Sequence, residues 1–352
     1  MGASPSESAW TYARSGVDAE GRAQSLREFL AAARTPPRAG FGRPLPLSGH
    51  YAGVVHTGAQ LIAATTDTVG TKTLLAEELN RWEEVGEDLV AINVNDLAAV
   101  GARPIGIVDT ISCASPSSTV FRALGRGVRR GLRAAGCSLL GGETALVPEL
   151  LRGTDLGATA LGAFPPGRRP ITGSSIRPGD AILGISASGF HANGFTLIRR
   201  LLRARGVDLS RPREGALVPV GRELLTPTRT YVRAVEAIAK VPGVHGLAHI
   251  SGGGVRNLPR LNPKVEFALH RFPEPPALFD WLARLGPVAT REMFQTFNMG
   301  IGFVVVVGPR SVATVQRRLA SAGVRGVHPI GEVRRGRGVT LPQLDLRYEG
   351  YA

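Results

Sequence analysis

The sequence predicts an α/β (α+β) fold of two domains, with helices layered on sheets. Three observations predict it. Short apolar runs alternate along the chain with longer segments of helical periodicity. Apolar residues make up 43% of the 352 residues, which is enough for two sizeable cores. A segment rich in Pro, Gly and Ser, residues 165–180, divides the chain into near-equal halves. We therefore expect domains at 1–168 and 169–352.

The elements follow from the spacing of the apolar residues. Seven short apolar runs predict strands at residues 61–66, 105–110, 138–140, 156–164, 181–186, 247–251 and 301–307. Six longer segments with apolar residues three or four apart predict helices at residues 74–82, 89–100, 120–135, 195–205, 227–239 and 312–320. Gly101 is expected to end the second of these helices.

Composition excludes several classes of protein. The net charge is +14, but the basic residues are spread along the chain with few aromatic residues between them, so the charge argues against a nucleic-acid partner without ruling one out. No apolar run approaches the roughly 18 residues of a membrane span. Residues 1–7 lack the basic and apolar stretches of a signal peptide. Cys113 and Cys137 share no metal-ligand spacing, and the simplest expectation is a reduced, cytoplasmic setting.

The turn after the first predicted strand combines an acid, a glycine and a lysine. Its sequence is TTDTVGTKT, and Lys72 is one of only three lysines in a chain with 42 Lys plus Arg. Neither a P-loop nor a G-x-G-x-x-G motif is found in the sequence. A nucleotide site, if there is one, must have another design.

Three acidic residues flank apolar elements beside small residues. Asp67 follows the first strand, Asp96 lies on the apolar stripe of helix 89–100, and Glu143 lies in LLGGETA. Burying an unpaired carboxylate is costly, so each acid needs a partner. A salt bridge or a cap would satisfy Asp96 alone, whereas the three together are typical of a Mg²⁺–phosphate site.

Two glycine-rich turns are further candidates. Gly252, Gly253 and Gly254 follow a predicted strand, where backbone N–H groups favour an anion, although such a turn is often only a structural connection. His191 lies in a turn between Gly189 and Gly194 rather than on an apolar face, so a functional role and a structural one are equally open.

Seven segments together form a more specific pattern than any of them alone. In order they are TTDTVGTK, AINVNDLAAVGARP, LLGGETA, SASGFHANGFTLIRRLL, LLTPTRTYV, GLAHISGGGVRNLPRL and EMFQTFNMGIGF. Over nearly the whole chain the sequence resembles the phosphoribosylformylglycinamidine cyclo-ligases (aminoimidazole ribonucleotide synthetases) of purine biosynthesis, in their archaeal style.

The resemblance implies both an architecture and a reaction. It implies a homodimer in which strands of the N-terminal half form a barrel with those of the partner. It also implies ATP- and Mg²⁺-dependent ring closure of formylglycinamidine ribonucleotide. In the family's proposed mechanism ATP phosphorylates the formyl oxygen, the amidine nitrogen attacks, and phosphate leaves as the C–N bond closes the ring.

The same resemblance assigns roles to residues, motif by motif. Asp67, Asp96 and Glu143 would hold the metal, while Lys72, His191 and Asn193 would act in catalysis, Lys72 by neutralising phosphate charge. The implied nucleotide contacts are Asp67, Gly70, Thr71, Lys72, Asn95, Asp96, Gly142, Gly252, Gly253 and Gly254.

The sequence also departs from the family pattern. The opening motif has Ala13 where the family has lysine, Thr68 replaces a glycine beside Asp67, and Leu146 replaces an acid. Two other readings stay open: another ATP-using relative, similar to thiamine-monophosphate kinase or selenophosphate synthetase, or a non-catalytic or nucleic-acid-binding basic protein. Selenophosphate synthetase has a reactive cysteine near its start, whereas the first cysteine here is Cys113.

Overall fold

The computed structural model describes residues 10–17, 19–33, 35, 39–47 and 49–350. Residues 1–7, on which the signal-peptide prediction rests, lie outside these ranges. The helices are α1 Ala19–Ala32, α2 Lys72–Glu78, α3 Trp82–Ala99, α4 Ser118–Ala135, α5 Phe195–Ala204, α6 Val220–Leu224, α7 Val232–Ile238, α8 Ala277–Leu285, α9 Thr290–Thr296 and α10 Val312–Ser321. The strands are β1 Gly53–His56, β2 Leu61–Thr68, β3 Arg103–Cys113, β4 Ser138–Leu146, β5 Thr154–Ala163, β6 Ala181–Ser186, β7 Val244–His249, β8 Val265–Ala268, β9 Ile301–Val307, β10 Val327–Arg335, β11 Gly338–Leu341 and β12 Leu346–Tyr348.

Two sheets organise the chain, as the predicted α/β class requires. The first has the strand order β1-β2-β5-β3-β4, and the second has the order β12-β11-β8-β10-β6-β9-β7. In the first sheet only β3 and β4 are parallel, and α4 makes the crossover between them. Residues 164–180 carry no helix or strand, and the proposed domain boundary at 168 lies within them.

Helix α3 lies between the two halves of the chain and positions most of the site. It packs against β2 and β5 on one side and against β7 and α7 on the other. Fourteen of its 18 residues are buried, which fits a helix enclosed on most sides. Gly101, at a φ of +77°, follows its C-terminal end as predicted.

The predicted elements differ from the observed ones mainly at their ends. Strands 181–186 and 301–307 are confirmed at both ends. The helix predicted at 74–82 stops at Glu78, Asn80 adopts a left-handed φ of +49°, and Trp82 begins α3 instead of ending the earlier helix. Strand β4 continues past Leu140 through two glycines that interrupt its apolar pattern.

The helix predicted at 227–239 begins only at Val232. The backbone N–H groups of Thr228 and Tyr231 donate to side chains of α3, those of Asp88 and Asn95, instead of entering a helix. Tertiary hydrogen bonds therefore override local propensity here. Within the described ranges, no helix combines the length and apolarity needed to cross a membrane.

Candidate active site

Asp96 and His249 form a pair where α3 meets the end of β7. His249 Nδ1 lies 2.8 Å from Asp96 Oδ1, and the two side chains are 16% exposed for Asp96 and 1% exposed for His249. A carboxylate only accepts hydrogen bonds, so Nδ1 carries the proton and Nε2 of a neutral ring is left as an acceptor. Within the part of the chain that the structure describes, Nε2 has no partner. The bond to His249 thus gives the Asp96 carboxylate a partner on the otherwise apolar stripe of α3, and it orients the imidazole.

Asp67 lies near the end of β2, close to Asp96. The backbone N–H of Thr68 donates to Asp67 Oδ1 over 2.8 Å. Asp67 is exposed to solvent as a residue, yet the protein atoms around its carboxyl, and then the Asp96 carboxylate, raise its pKa to about 6, since both disfavour the charged form. The Thr68 N–H and His249 act in the opposite direction. Two carboxylates that destabilise each other's charge favour a bound cation.

Thr68, the departure beside Asp67, has space on the neighbouring strand. Its Cα is paired with that of Gly157 on β5. Even a Cβ placed at Gly157 would lie 3.4 Å from Thr68 Cγ2, an ordinary van der Waals distance, so the glycine leaves room for the threonine methyl. The extra bulk at position 68 is thus accommodated across the sheet, and the backbone N–H of Thr68 still reaches Asp67.

His191 is a second buried imidazole in the same region. Its φ is +61°, its side chain is fully buried, and its ring centroid lies 6.4 Å from that of His249. Burial first, and then nearby His249, Lys72 and Arg229, lower its pKa well below the usual value, so the ring is neutral. The Ser188 N–H donates to its Nε2 over 3.4 Å, which places the proton on Nδ1. Among the described residues, Nδ1 has no partner.

The two glycine-rich turns predicted from the sequence lie against each other. A Cβ at Gly252 would come within 3.1 Å of Asn193 Oδ1. Gly253 and Gly254 both have positive φ values, +102° and +53°, and a Cβ at Gly254 would lie 2.1 Å from the Phe294 carbonyl oxygen. Glycine is therefore required by close packing at this turn, whatever its role towards an anion.

Lys72 does not face an open phosphate site in this structure. Its side chain is fully buried, and Nζ lies 2.7 Å from Asp88 Oδ2. Nζ also donates to the carbonyl oxygens of His191 and Thr226, over 2.9 and 3.0 Å. An ammonium has three protons, and these contacts use all of them. Nζ is thus fully engaged within the protein here, and the contact between Lys72 and a phosphate stays a prediction.

Asn95 is likewise directed into the protein. Its Nδ2 donates to the Arg229 carbonyl over 2.9 Å, and its Oδ1 accepts from the Tyr231 N–H over 2.8 Å. Its amide holds the backbone ahead of α7, and its contact with a nucleotide stays a prediction. Thr71 Oγ1 bonds Thr196 Oγ1 over 3.0 Å, and Gly70, at a φ of +66°, forms the turn before α2.

Glu143 and Gly142 lie at a different part of the first sheet. Strands β5 and β3 separate their strand, β4, from Asp67 on β2. Three strand spacings of about 4.8 Å place Glu143 roughly 14 Å from Asp67. Among the described residues, no group of three or more His, Cys, Asp or Glu could hold a metal ion. Within one subunit, the structure does not bring the three predicted metal ligands together.

Comparisons with known proteins agree with the motifs. Residues 49–164 match the model of the AIR synthase related protein N-terminal domain, and residues 177–342 match that of the C-terminal domain. A phosphoribosylformylglycinamidine cyclo-ligase from Thermococcus kodakarensis is 42% identical over 301 residues, which are 84% of this chain and 88% of the relative. The same enzyme from Methanothermobacter thermautotrophicus is 41% identical over 92% of this chain and 94% of its own length.

The chain belongs to this cyclo-ligase family. The resemblance predicted from the seven motifs is thereby confirmed.

Solved structures of more distant proteins share the fold. AaThiL complexed with AMPPCP and TMP aligns with a TM-score of 0.66 at 16% identity, covering 94% of this chain and 95% of that one. The protein tt0281 from Thermus thermophilus aligns with a TM-score of 0.63 at 23% identity, covering 94% of this chain and 98% of that one. These matches confirm the predicted family fold.

Three residues of the site escaped sequence reasoning. His249 gave a usable signal, because a histidine at the end of an apolar strand directly precedes the Gly252 turn. Asp88 gave a weaker one, since it lies before the segment recognised as helical. Thr228 gave none, because its bonds to Asp88 join residues 140 positions apart.

Proposed function

We propose that this chain closes the imidazole ring of aminoimidazole ribonucleotide from formylglycinamidine ribonucleotide, with ATP as phosphoryl donor. The observation that carries the proposal is its identity of 41–42% to cyclo-ligases over most of both chains. The site supports it with two acids, Asp67 and Asp96, beside the imidazoles of His191 and His249. The nucleotide analogue bound by AaThiL supports nucleotide use by this fold.

The acids fit a magnesium ion held with a nucleotide. Mg²⁺ prefers oxygen ligands and commonly takes only one or two carboxylates, with phosphates and waters supplying the rest. Asp67 and Asp96 meet this need. The pKa of Asp67 is raised first by the surrounding protein atoms and then by the Asp96 carboxylate, and a bound cation would relieve that repulsion. When bound, the ion would neutralise phosphate charge. Glu143 and Gly142 remain proposed contacts that need a ligand or a second subunit to link them to Asp67.

The reaction breaks one C–O bond and forms one C–N bond. The γ-phosphoryl group of ATP moves to the formyl oxygen, and ADP is released. The amidine nitrogen then bonds to the formyl carbon, and the oxygen leaves with the phosphate. This chemistry depends on positioning and charge stabilisation more than on covalent help from the protein.

The two histidines suit complementary parts of this reaction. Nδ1–H of His191 is a buried donor, and we assign it to an oxygen of the phosphorylated formyl group. Nε2 of His249 is an acceptor oriented through Asp96, and we assign it to the proton that the amidine nitrogen loses. Asn193 and the turn formed by Gly252, Gly253 and Gly254 would receive a phosphate group beside them.

We also propose that a second copy of the chain covers strand β4. This edge strand exposes Leu139, Leu140 and Leu146, with exposures of 49%, 56% and 54%. An apolar edge strand left open is an aggregation hazard, and pairing with a partner removes it. This is the strand that a homodimeric barrel of the family type would use.

A coupled assay tests the function. With ATP, Mg²⁺ and formylglycinamidine ribonucleotide, we expect ADP, phosphate and aminoimidazole ribonucleotide in equal amounts. A parallel reaction with thiamine monophosphate tests the kinase reading, because thiamine monophosphate kinase shares the fold. ADP formation that does not depend on the formyl substrate would reject the proposal, and thiamine diphosphate without free phosphate would favour the kinase.

A further inference from the structure

We propose that the buried Lys72–Asp88 ion pair is a positioning device that fixes the His191 turn against α2 and α3. This proposal rests on the proposed function in one respect: His191 is assumed to act in the reaction. The pair itself touches no open surface, since both side chains are fully buried. It acts through the backbone that it binds.

Lys72 connects the start of α2 to two loops far along the chain. Its Nζ donates to the carbonyl oxygens of His191 and Thr226, which are 119 and 154 residues away. One bond therefore holds the residue whose imidazole lies beside His249. The other holds the loop ahead of α7. The ring of Phe195, 5.3 Å from Nζ, closes another side of the ammonium.

Asp88 completes the connection from α3. Its Oδ2 contacts Lys72, while its Oδ1 accepts both the N–H and the hydroxyl of Thr228. The 226–228 segment is thus bound by both members of the pair. Ser188, three residues before His191, donates its hydroxyl to the Pro227 carbonyl over 2.6 Å, which ties this segment back to the same turn.

Stability alone is a poor explanation for the pair. Two charges removed from water cost about as much as their attraction returns, and apolar replacements of buried pairs are often neutral or stabilising. Burial accordingly lowers the pKa of Lys72 and raises the pKa of Asp88, while their mutual attraction opposes both shifts. Unlike an apolar contact, the pair makes directed bonds to the carbonyl groups of His191 and Thr226 and to the N–H of Thr228.

The His191 turn needs such bonds because its backbone is strained. A left-handed φ of +61° at a non-glycine residue is strained and persists only where surrounding contacts enforce it. The bond from Lys72 to the His191 carbonyl is one of those contacts. If it is lost, the turn can relax and the ring shifts relative to His249. A displacement of about 1 Å can cost about 100-fold in rate.

The test compares Lys72→Met with the double variant Lys72→Met/Asp88→Asn. Lys72→Met leaves an uncompensated buried carboxylate and lowers Tm. The double variant removes both charges and recovers most of the Tm, yet still lacks the donor to His191. We expect its kcat to stay about 10–100-fold below that of the native chain, with the KM for ATP changed less than about twofold.

Asp180→Asn is the matched control. Asp180 is also a fully buried aspartate, but it binds His245, over 2.7 Å, away from the site. We expect Asp180→Asn to lower Tm without lowering kcat. Amide hydrogen exchange of residues 189–194 gives a readout independent of catalysis, and it should become faster in the double variant and stay unchanged in Asp180→Asn.

Each outcome decides the proposal. Recovery of kcat together with Tm in the double variant would overturn it, as would native exchange rates at 189–194. Faster exchange with an unchanged kcat would overturn it as well, since the turn would then not need fixing. If the native chain forms no product, the proposed function fails, and the exchange data alone decide whether the pair fixes the turn. If Lys72→Met does not fold, the double variant alone is compared with the native chain and with Asp180→Asn.

Discussion

His249 Nδ1 lies 2.8 Å from Asp96 Oδ1, which joins the end of β7 to α3. The bond links β7, in the second sheet, to α3, which packs on β2 and β5 of the first sheet. It also sets the tautomer of the imidazole. Asp96 orients His249, and we propose that it also offers oxygen to a cation together with Asp67. A single residue with both tasks gives a sharp test.

Asp96→Asn should abolish turnover while the protein stays folded. An asparagine can still accept a hydrogen bond from His249, but it removes the charge that a cation and an imidazolium need. We expect kcat to fall by about 100-fold or more, measured with saturating substrates. Asp180→Asn, which alters the matching Asp180–His245 pair, should retain the native kcat. Equal kinetics in the two variants would remove Asp96 from the site.

Activity should fall in acid because Asp67 has a raised pKa of about 6. At limiting Mg²⁺ we expect kcat/KM to decrease about tenfold per pH unit below that value, since only the charged carboxylate binds a cation. Higher Mg²⁺ should move the midpoint to lower pH. A profile that is flat between about pH 5 and 7, or one insensitive to Mg²⁺, would contradict this role.

The same pKa predicts the sign of a stability effect. A carboxyl whose pKa is raised on folding favours the folded state while it is protonated, and this contribution is lost as pH rises from about 4 through about 6. The Tm of Asp67→Asn relative to the native chain should therefore increase over that interval. Differential scanning calorimetry at several pH values measures it, and a difference that stays constant would exclude the shift.

Gly254→Ala should destabilise the turn against which Asn193 packs. Its Cβ would lie 2.1 Å from a backbone carbonyl oxygen that cannot move aside easily, and its φ is +53°. We expect a loss of at least about 2–3 kcal/mol in the free energy of unfolding, measured by denaturant titration. Gly125→Ala, at an open position in α4, should instead gain about 0.5–1 kcal/mol. Equal effects would refute the packing argument.

Leu140→Asp should weaken the proposed dimer. Leu140 is 56% exposed on the edge strand β4, and a charge buried there against a partner would be costly. Light scattering should show the native chain as a dimer and the variant shifted towards monomer. Leu217→Asp is the control, because Leu217 is fully exposed outside any helix or strand. A monomeric native chain would end this proposal.

Local pattern was enough for elements whose burial is uniform along their length. All seven residues of β9 are buried, and its apolar run predicts both ends correctly. Helix α3 was recognised only in its second half, because it is enclosed by two layers and lacks a clean polar face. Motif resemblance grouped Asp67, Asp96, His191 and the Gly252 turn in one site, and the fold brings these residues into the same region.

Side-chain direction was beyond the reach of the sequence. Lys72 follows an acid and a glycine at a strand end, where a lysine suits a phosphate. Its direction is set instead by Asp88 and by carbonyls more than a hundred residues away. Glu143 was placed near the metal by its motif, but two intervening strands in the sheet separate it from Asp67. In both cases the observed position depends on tertiary geometry that residue types do not encode, and the predicted roles of Lys72 and Glu143 stay predictions.

The most direct test of the proposed reaction follows one oxygen atom. Formylglycinamidine ribonucleotide labelled with ¹⁸O at the formyl position is converted with unlabelled ATP, and the released phosphate is analysed by mass spectrometry. Because the formyl oxygen accepts the phosphoryl group in the proposed reaction and leaves with it, we predict one ¹⁸O atom in each phosphate. Unlabelled phosphate, with the label lost to water, would contradict this reaction.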